Sequence, residues 1–155
     1  MLVSRKNFEY IISYFITIAI MILIFCLSAQ SAVESEALSG ILIKDNFLEF
    51  LHHHVRKAAH FAIYAMLGVS VFISVGFSAE KKLQQFIISV FLCFLYGVFD
   101  EVHQLFVEGR AGLISDVIID TVGAAFGAGS SIVFSAVMTK ITMKLHDNRR
   151  SPCIK

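Results

Sequence analysis

Four long apolar runs, Phe8–Ala29, Ala58–Phe77, Leu83–Phe106 and Leu113–Met138, take up most of a 155-residue chain. A helix needs about 20 mostly apolar residues to cross a bilayer, and in lipid each backbone polar group must be bonded within its own segment. The runs therefore predict an all-α fold, a multi-pass membrane bundle of four transmembrane helices forming a single domain over residues 1–155. Composition excludes an ordinary soluble core: 57% of residues are apolar, 15 are Phe, and there is one Pro. Mean hydropathy is +0.76. The third run is the exception, because its clean portion, Phe86–Phe99, would rise only about 21 Å. It spans only if the helix continues into the polar cluster Asp100–Gln104.

The first run follows Arg5 and Lys6 and so resembles a signal peptide, but it is longer than a typical apolar core of one and is read as a retained helix. Cys26, Cys93 and Cys153 lack metal spacing and are read as inert. Basic residues gather before the first helix (Arg5, Lys6), in the second connection (Lys81, Lys82) and after the fourth helix (Lys140, Lys144, Arg149, Arg150). The positive-inside rule then predicts both termini in the cytoplasm, with residues 140–155 as a cytoplasmic tail. Within the first connection, Ser31-Ala32-Val33-Glu34 reads as a capping box leading into apolar residues at helical spacing. That pattern suits a short amphipathic surface helix, or alternatively a loop packed over the bundle. His52-His53-His54 face three directions on any helix and are expected in a solvated loop, and His146 looks bland.

This topology brings the polar residues of all four helices to the outer half of the bundle. Gln30 ends the first helix; Arg56, Lys57 and His60 begin the second; Asp100, Glu101, His103 and Gln104 end the third; Arg110, Asp116 and Asp120 lead into the fourth. Ionisable groups in a membrane are costly to desolvate and usually line a bundle interior or an aqueous site. Asp116, Asp120, Gly123 and Gly127 are spaced by four, three and four, so acids and glycines share one helix stripe and meet one neighbour. Gly123-x-x-x-Gly127 also permits close helix approach, including to a separate membrane-protein partner.

Three chemical readings stay open at this point. Asp100 or Glu101 with His103 can form a general acid/base pair, with His60 as a second proton carrier. Arg56, Lys57 and Arg110 can clamp a phosphate, with Gln30, Gln104, Asp116 and Asp120 orienting it. Carboxylates with histidine can also bind a divalent cation, but no HExxH-type spacing is present, and neither metal nor cofactor is expected. The structural alternative is an ion-pair network that only makes the charges tolerable. No nucleotide-binding motif occurs and no nucleic-acid partner is expected; the expected partners are the lipid bilayer and an anionic molecule.

Phe25-Cys26-Leu27-Ser28-Ala29-Gln30, Arg56-Lys57-Ala58-Ala59-His60-Phe61, Asp100-Glu101-Val102-His103-Gln104-Leu105-Phe106 with Gly109-Arg110, and Asp116, Asp120 and Gly123 together resemble the VanZ-like family of small membrane proteins. Two positions depart from that pattern. Ile63 stands where many members carry Glu, and Glu108 where many carry Pro. The resemblance implies a bacterial cytoplasmic-membrane protein, since the family's namesake is associated with low-level resistance to the glycopeptide antibiotic teicoplanin. The expected function is an outward-facing polar pocket that binds or processes an anionic lipid or wall precursor. The alternatives are a non-enzymatic partner or scaffold protein and a small transporter or lipid translocator.

Overall fold

A computed structural model of the chain describes residues 5–30, 46–76, 81–110 and 112–150, with side-chain environments for 8–30, 54–76, 81–110 and 112–147. Four helices account for nearly all of them: α1 (Arg5–Ser28), α2 (Asn46–Val75), α3 (Lys82–Gln104) and α4 (Ile114–Arg150). Among the described residues there is no strand. Each helix contains a stretch long and apolar enough to cross a membrane. The chain is thus a multi-pass membrane protein, with four helices able to cross a membrane among the described residues. The amphipathic segment expected at 31–42 lies outside the described residues.

Two boundaries differ from the hydropathy reading. Helix α2 starts at Asn46 rather than at Ala58, so His52-His53-His54 are helical and not a loop. Helix α4 runs on to Arg150 through what reads as a tail. Both differences have one cause. Hydropathy marks where a helix enters lipid, whereas backbone bonding continues until a breaker, and none occurs between Gly129 and Pro152.

Helices α2 and α4 make the most extensive contact in the bundle and run parallel, as the paired numbers 56/116, 60/120, 61/123 and 65/127 show. Small residues allow this. A Cβ on Gly123 would lie 2.5 Å from the Phe61 carbonyl oxygen, and one on Gly127 would overlap that of Ala65. Gly68 meets the Ala124 backbone in the same way from α2. In lipid, where apolar burial gives little drive, such backbone approach supplies the packing energy. The Gly123/Gly127 face is therefore filled by α2 of the same chain. This corrects the expectation that it serves a partner protein.

Helix α3 turns a stripe of small and polar residues inward, Gln85, Ser89, Cys93, Gly97, Asp100, Glu101 and Gln104. A compact apolar core of Ile24, Tyr64, Leu67, Val71, Cys93 and Ala124 sits at mid-bundle. Outward positions such as Phe15, Phe91, Ile118 and Phe134 are exposed, as lipid-facing residues must be.

Candidate functional site

The turn after α3 builds one wall of the site. Phe106 N–H donates to the His103 carbonyl at 3.0 Å and Arg110 N–H to that of Val107 at 3.1 Å. Between them Gly109 takes φ 75°, the left-handed region that favours glycine. This reversal brings Arg110 back to the end of α1, where its Nε donates to the Gln30 carbonyl oxygen at 3.1 Å. Burial and the nearby charge of Arg56 lower the Arg110 pKa from its usual value, against the opposing pull of Asp100 and Glu101. A guanidinium so placed stays cationic. Gly112 lies against the Glu101 backbone, and Leu113 N–H donates to Glu101 Oε2 at 2.7 Å. That carboxylate sits at the N-terminus of α4, where the helix dipole favours negative charge.

Charged residues of α2 and α4 then meet in register. Arg56 and Asp116 form a 2.9 Å ion pair, and Ser115 Oγ donates to Asp116 at 3.1 Å. One turn further in, His60 Nδ1 and Asp120 Oδ1 are 3.2 Å apart. From α3, Asp100 Oδ2 accepts from Gln104 Nε2 at 3.3 Å. Asp100, Glu101, Gln104, Asp116 and Asp120 are all buried. One donor atom from each of His60, Asp100, Glu101 and Asp120 lies within 4.8 Å of those of the other three.

A cavity of about 270 Å³ opens beside this cluster, between the end of α1, the middle of α2 and the end of α3. Arg56, His60, Asp100, Arg110 and Gln30 supply its polar lining, and Ile24, Leu27, Val55 and Ile63 apolar lining. A larger groove, about 1220 Å³, lies along α2 and α4 at the other end of the bundle. Its walls are mainly apolar side chains such as Phe72, Ile73, Phe126 and Phe134, and lipid chains would fill it.

Nine of the eleven residues expected at the site are brought together: Gln30, Arg56, His60, Asp100, Glu101, Gln104, Arg110, Asp116 and Asp120. The other two stand apart. His103 packs at a tilt on Phe25 of α1, ring centroids 4.3 Å apart, and its Nδ1 is buried without a hydrogen-bond partner. Lys57 is partly buried on α2 and does not line the cavity. The acid–histidine pair actually formed is His60 with Asp120, and Asp100 is held by Gln104.

Sequence reasoning missed two features. Tyr64, one turn after His60, is fully buried on the cavity wall, and its hydroxyl has no partner. The signal for it was the four-residue spacing His60–Tyr64. At the opposite end, Ser13 and Thr17 of α1 bond Ser74 and Ser70 of α2, each at 2.7 Å. Two Ser/Thr pairs spaced by four marked this hydroxyl zipper.

Fold and site define a class: small multi-pass membrane proteins with a buried carboxylate–histidine cluster and a cation-rimmed cavity at one end of the bundle. The VanZ/LLP1 family profile matches residues 13–135, and the chain belongs to that family. No curated protein and no solved structure matches it.

Proposed function

We propose that this chain is an envelope protein of the bacterial cytoplasmic membrane, with both termini in the cytoplasm, whose outward-facing cavity binds an anionic lipid or lipid-linked wall precursor. The observation that carries this reading is the mixed lining of the cavity. Arg56 and Arg110 line it together with Ile24, Leu27, Val55 and Ile63. A phosphate headgroup matches the guanidinium groups, because Arg presents a planar fork of donors to phosphate oxygens. An acyl or prenyl chain matches the apolar residues of the lining. His60 is the acid/base candidate on this wall, with Asp120 orienting its ring. The same face is where a lipid-bearing glycopeptide would meet its target, which links the cavity to a resistance role.

The test is extraction in native lipid with mass spectrometry of what co-purifies, comparing wild type with Arg110→Ala. A phosphate-bearing lipid or wall precursor enriched over bulk lipid in wild type and lost in the variant is the expected result. Equal bulk lipid in both proteins would reject the reading. Orientation is checked separately with a membrane-impermeant thiol reagent, which should label a cysteine placed at Glu108 in intact cells and not one at Asp147.

A further inference from the structure

The three cluster carboxylates share one arrangement. Each has one oxygen tied by a donor from the protein: Asp100 Oδ2 by Gln104 at 3.3 Å, Glu101 Oε2 by Leu113 N–H at 2.7 Å, Asp120 Oδ1 by His60 at 3.2 Å. In each the second oxygen, Asp100 Oδ1, Glu101 Oε1 and Asp120 Oδ2, is buried with no partner in hydrogen-bond geometry, the Ser28 hydroxyl standing close to Asp100. The residues themselves are 1%, 6% and 0% exposed. Tyr64 adds a fourth unpartnered oxygen, fully buried and within electrostatic reach of all three acids. Unsatisfied buried polar atoms are uncommon, and each calls for an explanation such as a missing ion.

Charge balance points the same way. Arg56 is engaged by Asp116, and Arg110 is turned toward Gln30. Asp100, Glu101 and Asp120 thus share His60 as a common partner, with His103 acting on Asp100 and Arg110 on Asp100 and Glu101. At Asp100 and Glu101 one carboxylate oxygen is fixed by a donor outside the cluster while the other is left free, which is how outer hydrogen bonds orient metal ligands. Opposite ligands of a divalent cation at about 2.1–2.4 Å are about 4.2–4.8 Å apart, and the four donors lie within 4.8 Å of one another. We infer that His60, Asp100, Glu101 and Asp120 form a divalent-cation site. One nitrogen with three carboxylates suits Mn²⁺, Fe²⁺ or Zn²⁺ better than the all-oxygen preference of Mg²⁺ or Ca²⁺. His60 and Asp100 also line the cavity, so the open coordination positions of the cation face it. A cation there would change the local sign from anionic to one that accepts a phosphate oxygen beside Arg56 and Arg110.

The site stands on the cluster and not on the lipid reading, and the experiment separates them. Full-length protein in detergent is stripped with EDTA and titrated with Mn²⁺, followed by calorimetry and by the Mn²⁺ paramagnetic resonance spectrum. One Mn²⁺ per chain is expected, weakened at least about tenfold in Glu101→Gln and in Asp120→Asn, with thermal unfolding of wild type moved up by Mn²⁺ and down by EDTA. His146→Ala, on the exposed C-terminal part of α4 remote from the cluster, should bind as wild type does. If the Gln and Asn variants fail to fold, the wild-type shift with Mn²⁺ decides alone. No Mn²⁺ or Zn²⁺ binding by wild type, or binding lost in His146→Ala and kept in Glu101→Gln, overturns the proposal. Mn²⁺ binding without lipid enrichment keeps the cation site and removes the lipid reading; lipid enrichment without any cation does the reverse.

Discussion

Arg56 on α2 and Asp116 on α4 form a 2.9 Å ion pair in which the base is 35% exposed and the acid 1%. The asymmetry sets what each substitution costs. Removing one partner of a buried pair costs about 3–5 kcal/mol because a charge is stranded. Solvent reaches Arg56, so Arg56→Ala should cost less, on the order of 2 kcal/mol. Adding Asp116→Asn removes the stranded charge and should restore much of that loss. Reversible unfolding in mixed micelles reads both. Equal losses in the single and double variants would mean that the pair contributes nothing to stability.

Gly127 is the closest point of the α2–α4 contact, since a Cβ there would overlap the Ala65 carbonyl oxygen. Gly127→Ala forces two backbones apart, at a cost on the order of 1–3 kcal/mol. Its gain in helix propensity, about 1 kcal/mol, offsets only part of this. Gly129→Ala on the same helix is the control, because its nearest neighbour is a Phe86 ring atom at 3.9 Å. That variant should be neutral or slightly stabilised in the same unfolding assay. Similar behaviour of the two alanines would reject the close approach.

Charge and periodicity made most of this legible before any coordinates. Asp116, Asp120, Gly123 and Gly127 share a stripe by spacing alone, and the stripe does face α2, though Asp120 also meets Gly97 of α3. Ionisable residues announce themselves in a membrane helix because desolvating them is costly. Other features carry no such mark. Ser89, Cys93 and Gly97 sit in a run that reads as apolar, yet they continue the inward stripe of Asp100 and Gln104. Asp100 can reach either His103 or Gln104 by helix spacing, and the choice of Gln104 depends on Phe25 of α1 holding the His103 ring. Contacts between distant runs of this kind are invisible to local pattern.

The Ser/Thr zipper was hidden for a related reason. A hydroxyl in a membrane helix can satisfy itself on the preceding turn, as Thr17 does on the Ser13 carbonyl at 2.9 Å and Ser74 on that of Ser70 at 2.9 Å. The interhelical bonds Thr17–Ser70 and Ser13–Ser74, both 2.7 Å, come in addition. Interhelical hydrogen bonds in lipid are modest, averaging about 0.6 kcal/mol. A double-mutant cycle of Thr17→Val and Ser70→Ala should therefore give a coupling of about 0.6 kcal/mol. Coupling near zero would leave the zipper with no more than the bonds within each helix.

Tyr64 gives the prediction of opposite sign. Its ring packs in the core with Leu67 and Ile24, while its hydroxyl is buried on the cavity wall with no partner. A buried, unsatisfied hydroxyl costs about 1–3 kcal/mol, so Tyr64→Phe keeps the packing and removes the cost. Stripped of lipid and cation, the variant should be as stable as wild type or more stable, by about 1 kcal/mol. Extracted in native lipid, it should lose part of whatever wild type retains, because that hydroxyl is then a ligand contact. Stability up and retention down together would mark Tyr64 as a residue whose polar atom serves the cavity and not the fold. A loss of more than about 1 kcal/mol in the stripped protein would mean that the hydroxyl bonds within the fold. The carboxylates would then have to be explained without Tyr64 as a fellow ligand-facing group.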